Sequence, residues 1–389
     1  MKTMTTEISG TGHDPSSVLV EVRGQVGFIT LNRPKALNAL SLEMVRALLQ
    51  CLLAWRDDPA IHAVAIRGTS KTGAFGAFCA GGDIRFFHQA ALAGDPELED
   101  FFTDEYTLNH LIHRFPKPYI VFMDGIVMGG GMGLAGHGRT RTDASGHTTT
   151  LRIVTGRTKM AMPETAIGLF PDVGGGYFLS RCPGRMGEWL ALTGETLDAS
   201  QALDCGLADV RFDASQLPEA WAALAQLDFA SPRALAAWSA IYSTASDARA
   251  VVSPAQLDPY FSLASVSAIV QALEADADAW AQSTAALLRK RSPLMLHVAL
   301  AQVRRARTLT LAEDLRMERD MVYRCLHPDH LGRSASQSET VEGIRALVVD
   351  KDQAPCWSPA RIEDVTPAMV APFFSSPWTP QTHPLRLLN

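Results

Sequence analysis

Pro118-Tyr-Ile-Val-Phe-Met-Asp-Gly125 runs on into Met128-Gly-Gly-Gly-Met-Gly133. Further along comes Met162-Pro-Glu-Thr-Ala-Ile-Gly-Leu-Phe-Pro-Asp-Val-Gly-Gly-Gly176. These stretches decide how the rest of the chain is read. Tyr119 to Met123 is an apolar run of strand length, bounded by Pro118 and by Asp124-Gly125. The glycines after it let backbone approach a ligand closely, and the uncapped N–H groups of a helix start favour negative charge. A carbonyl oxygen that becomes an oxyanion during a reaction is such a charge. The later turn carries two carboxylates, Glu164 and Asp172.

The glycine run has competing readings. Gly131-Met-Gly133-Leu-Ala-Gly136 matches the dinucleotide fingerprint GxGxxG and follows a strand. That fingerprint also requires an acidic residue about 20 positions on, to hold the ribose. Around Arg152-Ile-Val-Thr there is none, and the motif lies a third of the way along the chain instead of in its first βα turn. The plainer alternative is that the glycines serve only close helix packing.

The chain has 389 residues, enough for one large domain with appendages or for two. Its 47% apolar and 20% charged content is that of an ordinary globular protein. A net charge of −6 without a long basic run argues against nucleic acid as the main partner. Cys51, Cys79, Cys182, Cys205, Cys325 and Cys356 show no CxxC spacing, which predicts reduced thiols and neither a disulfide framework nor a metal site. The first 17 residues are polar, with neither an apolar core nor an Arg-rich amphipathic pattern. They read as a flexible tail, and a cytoplasmic location is expected. No window approaches 18 uninterrupted apolar residues, so no membrane span is expected.

Val18–Val22 and Val26–Leu31 are strand-like and joined by a turn at Arg23-Gly-Gln. Ser41 is a candidate N-cap for a helix that ends before Asp57-Asp-Pro59. His62–Gly68 is the next strand. Asp83 caps a helix beginning at Ile84, and Phe101 to Arg114 is helical. Asp143–Thr150 is a polar loop. Beyond Gly187 the chain turns Ala/Leu-rich with helical period. The expected organisation is a tail over 1–17, an α/β core over 18–230 and a helical region over 231–389.

Five blocks resemble the crotonase (enoyl-CoA hydratase/isomerase) superfamily: Leu31–Leu40, Phe78–Ile84, Pro116-Lys-Pro118, Asp124–Gly133 and Met162–Gly176. Within it the chain is most similar to the 3-hydroxyisobutyryl-CoA hydrolases. The pointers are Ala161–Phe178 and Glu342-Gly-Ile-Arg-Ala-Leu-Val-Val-Asp-Lys-Asp352 with Trp357 and Pro359. The resemblance covers roughly residues 18 to 375. It implies a crotonase-like superhelix of stacked β-β-α turns, forming two nearly perpendicular sheets, with a C-terminal helical region. It also implies an acyl-coenzyme A thioester as substrate, no further cofactor, no metal and a homo-oligomer (trimer or hexamer).

The resemblance places an oxyanion hole at the amides of Gly82 and Gly130. Glu164 and Asp172 become the catalytic pair, with Glu164 ionised, as nucleophile or general base. Glu105 becomes a substrate contact. Lys35 and Leu37, with Arg33, border the coenzyme's nucleotide. Hydratases carry a further glutamate two residues after the glycine triplet, where this chain has Gly133. The pattern therefore fits thioester hydrolysis in valine degradation. Enoyl-CoA hydration or isomerisation is the alternative enzyme reading, and a non-catalytic acyl-CoA-binding protein is the alternative outside enzymes. About ten residues around Arg139–Thr149 stand as an insertion relative to the hydrolases, and Gly156 replaces a common glutamate.

Overall fold

The structure, a computed structural model, describes residues 16–137, 150–245 and 252–389. Most of the expected tail and the whole insertion at Arg139–Thr149 lie outside the described residues. The chain divides into two compact units. One takes Met1–Gly82, Leu111–Met160 and Thr196–Val251; the other takes Asp83–His110, Ala161–Glu195 and Val252–Asn389.

The first unit holds a six-stranded sheet. β1 (Val18–Arg23) and β2 (Val26–Leu31) form an antiparallel hairpin, with Val18 opposite Leu31 and Arg23 opposite Val26. Gly24 turns it at φ +60°. β3 (Ala63–Gly68), β4 (Tyr119–Met123), β6 (Thr150–Val154) and β8 (Val210–Arg211) then add in parallel. β5 (Ile126–Met128) and β7 (Lys159–Ala161) form a separate two-stranded ladder. All residues of β2 and β4 are buried, as parallel strands covered on both faces require.

Alternate residues decide what each face meets. Phe28, Ala65, Phe122 and Ile153 join one apolar cluster with Trp221 and Trp238. Trp221 takes Phe28 edge-on at 4.8 Å and Phe122 at 5.2 Å. The helices Leu217–Ala223 and Ala234–Tyr242 supply those tryptophans. On the opposite face Gly27 leaves room for the Trp55 ring of helix Leu42–Asp57. Ser41 caps that helix, accepting from the Met44 amide, as expected from sequence; the helix runs through Asp57, one residue past the expected end.

The second unit is built of helices. Five in succession begin on side-chain caps, at Ser253, Ser265, Asp278, Ser292 and Thr310. Gly187 lets helix Met186–Thr193 approach the Leu179 carbonyl. Glu188, fully buried, accepts from Arg307 at 2.7 and 2.9 Å and from Arg185 at 2.8 Å. An ion pair between the buried Arg319 and the half-buried Glu99 ties helix Leu311–Leu326 to helix Glu97–His113.

Candidate functional site

The candidate residues fall into two sets, one on each unit. On the first, β5 lies alongside Cys79: the Cys79 amide donates to Ile126 O, and the Met128 amide donates to Cys79 O, each at 3.0 Å. Two glycine segments are thereby set side by side. Gly129, at φ +48° and ψ −121°, turns the chain into helix Gly130–Ala135. A Cβ on Gly81 (φ +103°) would sit 3.5 Å from the Gly130 amide nitrogen, and a Cβ on Gly131 would run into the Cys79 carbonyl. Only glycine permits this approach.

The same packing frees the two amides of interest. Gly130 is the first residue of its helix, so its N–H has no intrahelical acceptor. Gly82 is the bridge partner of Leu40, whose amide donates to Gly81 O at 2.8 Å. In a parallel bridge the flanking groups do the pairing, so the Gly82 N–H points the other way. The Gly81–Gly82 and Gly129–Gly130 segments are thus set side by side.

Lys35 lies in the 3₁₀ turn Pro34–Ala36 and is exposed. Leu37 follows at φ +51°, also exposed, with its carbonyl accepting from the Ala80 amide. The fully buried Asn38 fixes the segment, donating to Thr69 O at 2.8 Å and Ala77 O at 2.9 Å and accepting from the Arg33 amide. The apolar and cationic groups expected at a nucleotide border are therefore on the surface next to the Ala80–Gly81 backbone.

The second unit gathers the acids. Glu105, on helix Glu97–His113, is 2% exposed. Glu164 opens the 3₁₀ turn Glu164–Ile167 and is 6% exposed; Asp172, eight residues on, is 5% exposed. Tyr106 donates its hydroxyl to Asp172 Oδ2 at 2.9 Å. Glu105 Oε1 and Glu164 Oε2 are buried without a hydrogen-bond partner.

The electrostatics follow from that inventory. Burial raises Glu105 well above the usual carboxylate range, and the charges of Asp172 and Glu164 raise it further. Burial, then Asp172, does the same to Glu164. Burial also lifts Asp172, but the Tyr106 hydroxyl favours its ionised form and holds it to about 6. The Tyr106 hydroxyl thus gives Asp172 a donor that favours its charged form, while Glu164 Oε2 has none.

Val173 adjoins this acid at φ +55°, a conformation a β-branched residue adopts only under constraint, at a cost of about 1–3 kcal/mol. Tyr106 was not singled out from sequence. Its only signal is adjacency to Glu105, and residues 106 and 172 meet only through the fold. The same is true of Asp314 and Glu318, buried acids on helix Leu311–Leu326 whose carboxylates accept from amides of the Gly174–Tyr177 segment.

No group of three or more His, Cys, Asp or Glu side chains suited to a metal ion occurs among the described residues. A surface cavity of about 730 Å³, lined by Leu151, Arg152, Asp209, Leu235 and Ser239 among others, contains none of the candidate residues. Its Arg152 is already paired with Asp209 at 2.8 Å.

A sequence model of the family described as Enoyl-CoA hydratase/isomerase matches residues 26–374, and the chain belongs to that family. Among its relatives is the mitochondrial 3-hydroxyisobutyryl-CoA hydrolase of Gallus gallus, 37% identical over 361 residues, which are 91% of this chain and 88% of the relative. Another is 3-hydroxyisobutyryl-CoA hydrolase 1 of Arabidopsis thaliana, 38% identical over 92% of this chain and 91% of the relative. A solved carnitinyl-CoA dehydratase from Mycobacterium thermoresistibile superposes with a TM-score of 0.80 at 37% identity, covering 94% of this chain and 97% of its own. The crotonase-type α/β fold expected from sequence is therefore correct.

The cytoplasmic location is not. The Gallus gallus relative is mitochondrial by name, which overturns that expectation. The scattered spacing of the six cysteines does not single out one compartment.

Proposed function

We propose that this chain hydrolyses the thioester of 3-hydroxyisobutyryl-CoA, with water giving 3-hydroxyisobutyrate and free CoA, a step of valine degradation. The observation that carries the reading is the buried set Glu105, Glu164 and Asp172, with one member held ionised by Tyr106. The names of the relatives support the same substrate.

The Gly82 and Gly130 amides serve as donors to the thioester oxygen. That oxygen carries little charge in the ground state and a full charge in the tetrahedral form, so fixed donors act mainly on the barrier, by about 3 kcal/mol each. Glu164, once deprotonated, either attacks the carbonyl carbon to give a mixed anhydride, which water then cleaves, or draws the proton from an attacking water. The C–S bond breaks, and the thiolate leaves with the electron pair and is protonated to the thiol. Thiolate is a competent leaving group, so no strong general acid is required. Asp172, ionised, accepts a hydrogen bond from the substrate hydroxyl, and Glu105 contacts the acyl group. Lys35 and Leu37 meet the nucleotide end of the coenzyme, which enters as part of the substrate. The active form is a homo-oligomer, a trimer or hexamer, which light scattering on the purified protein measures.

Enoyl-CoA hydration is the second reading, favoured by the solved dehydratase at equal identity. Gly133, standing where hydratases carry their other glutamate, disfavours it. Thiol release from 3-hydroxyisobutyryl-CoA, compared with loss of the conjugated absorbance of crotonyl-CoA, separates the two. Turnover of crotonyl-CoA without thiol release would overturn the hydrolase reading.

A further inference from the structure

Two more buried acids lie in the second unit, with no role yet assigned. Glu318 and Asp314 sit one turn apart on helix Leu311–Leu326, each 0% exposed. Glu318 Oε2 accepts from the Gly174 amide at 2.7 Å, and its Oε1 accepts from the Gly176 amide at 2.9 Å. Gln302 donates to the same Oε1 at 2.9 Å and to Pro171 O at 2.6 Å. Asp314 Oδ2 accepts from the Tyr177 amide at 2.7 Å. All of these bonds but the one from Gln302 to Glu318 end on the segment Pro171–Tyr177, which carries Asp172 and runs into helix Gly175–Leu179. The loop holds Val173 at φ +55° and Gly174 at φ +84°, and a Cβ on Gly176 would lie 2.5 Å from Asp314 Oδ1.

We propose that Glu318, assisted by Asp314 and Gln302, is a positioning residue for Asp172, holding the Pro171–Tyr177 loop in the conformation that aims the Asp172 carboxylate. A neutral serine or asparagine could accept from loop amides at a helix start. Two fully buried carboxylates exceed what capping requires, since burying charge without a full countercharge is costly. Burial and Asp314 raise Glu318, with Asp172 adding to the shift; burial raises Asp314 to about 6, partly offset by hydrogen bonds with Glu318 and the Tyr177 amide and by Arg181. The three N–H donors on Glu318 match the two oxygens of a carboxylate. An amide would turn its own N–H₂ toward one of those donors, releasing one loop contact.

The inference rests on the reading of Asp172 as a catalytic group, and a double-mutant cycle separates the two. Glu318→Gln is expected to lower kcat for 3-hydroxyisobutyryl-CoA roughly tenfold or more, with KM changed less than about threefold, because it acts on geometry at the reacting centre and not on coenzyme binding. In an Asp172→Asn background the same substitution should change kcat less than about twofold, since the group it positions is already gone. An equal loss in both backgrounds, or no loss in the first, overturns the positioning role while leaving Asp172 in place. Normal turnover by Asp172→Asn alone overturns the catalytic reading and this one with it. Circular dichroism and thermal melts confirm that the variants fold. Should Glu318→Gln fail to fold, the same cycle with Gln302→Met decides, with a smaller loss confined to the wild-type background as the supporting result and an equal loss in both as the overturning one.

Discussion

The two candidate regions solve opposite problems. On the first unit the groups proposed to act on the thioester oxygen are main-chain amides, with no proton to gain or lose in the working pH range. Their placement depends on absent atoms: no Cβ on Gly81 or Gly131, and a left-handed turn at Gly129. On the second unit they are side chains whose state depends on burial, on one another's charge and on one phenol. The first region should break when a methyl group is added and be indifferent to pH. The second should break when a single atom is exchanged and should titrate.

The largest effect is expected from Glu164→Gln. It preserves shape and removes the group that deprotonates to act on the carbonyl. Thiol release should fall by about a thousandfold or more, as for loss of a principal catalytic side chain. Thioester binding, followed by calorimetry, should persist. Normal turnover would remove Glu164 from the mechanism. Next comes Gly131→Ala, whose methyl strikes the Cys79 carbonyl and separates the two glycine segments. Misplacing an oxyanion donor costs about a hundredfold in kcat. That loss should be the same from pH 5 to pH 9, and a loss that varies with pH would contradict the backbone assignment.

This contrast also explains what was legible beforehand. The positions 82 and 130 came from the family resemblance, carried by two local glycine segments that a short window of sequence contains whole. Asp83 as the cap of helix Ile84–Ala93 was readable for the same reason. The acids at 164 and 172 were readable as residues but not as states. How readily each ionises depends on burial that no window of sequence contains and, for Asp172, on Tyr106, 66 positions away. Glu318 lies still further along the chain, in a helix whose amphipathic pattern gives no reason to separate it from ordinary surface acids. The helix around Glu105 begins at Glu97 and not at Phe101, because Glu97, Glu99 and Asp100 favour a helix start and extend it.

Tyr106→Phe sharpens the comparison at an intermediate scale. The hydroxyl lowers the Asp172 carboxyl, which stands at about 6 with it in place. A hydrogen bond to a charged group is worth about 1.5–3 kcal/mol, or roughly one to two pKa units. Without it Asp172 ionises only at higher pH. The acid limb of kcat/KM should therefore move upward by about that amount, and activity near pH 6 should drop about tenfold while activity near pH 9 approaches that of the parent. An unmoved limb would dissociate Asp172 from the profile.

The smallest expected effect, Glu105→Gln, concerns stability and gives the cleanest sign. Glu105 is raised well above its ordinary value by burial and by the charges of Asp172 and Glu164. Between the unfolded value, about 4.3, and the folded one, the native state holds a proton that the unfolded chain has released. Stability must then fall as pH rises through that window, the reverse of a salt-bridged carboxylate. Glutamine cannot titrate, so the variant escapes the loss. At pH 4 parent and variant should melt together, while at pH 8 the variant should be more stable by on the order of 1–3 kcal/mol in urea unfolding. A difference that is the same at both pH values would mean that packing, not charge, separates the two proteins. The destabilisation of Gly131→Ala, which buries no titratable group, should show no such dependence, so the pair of melts reads out the difference between the two regions without any substrate present.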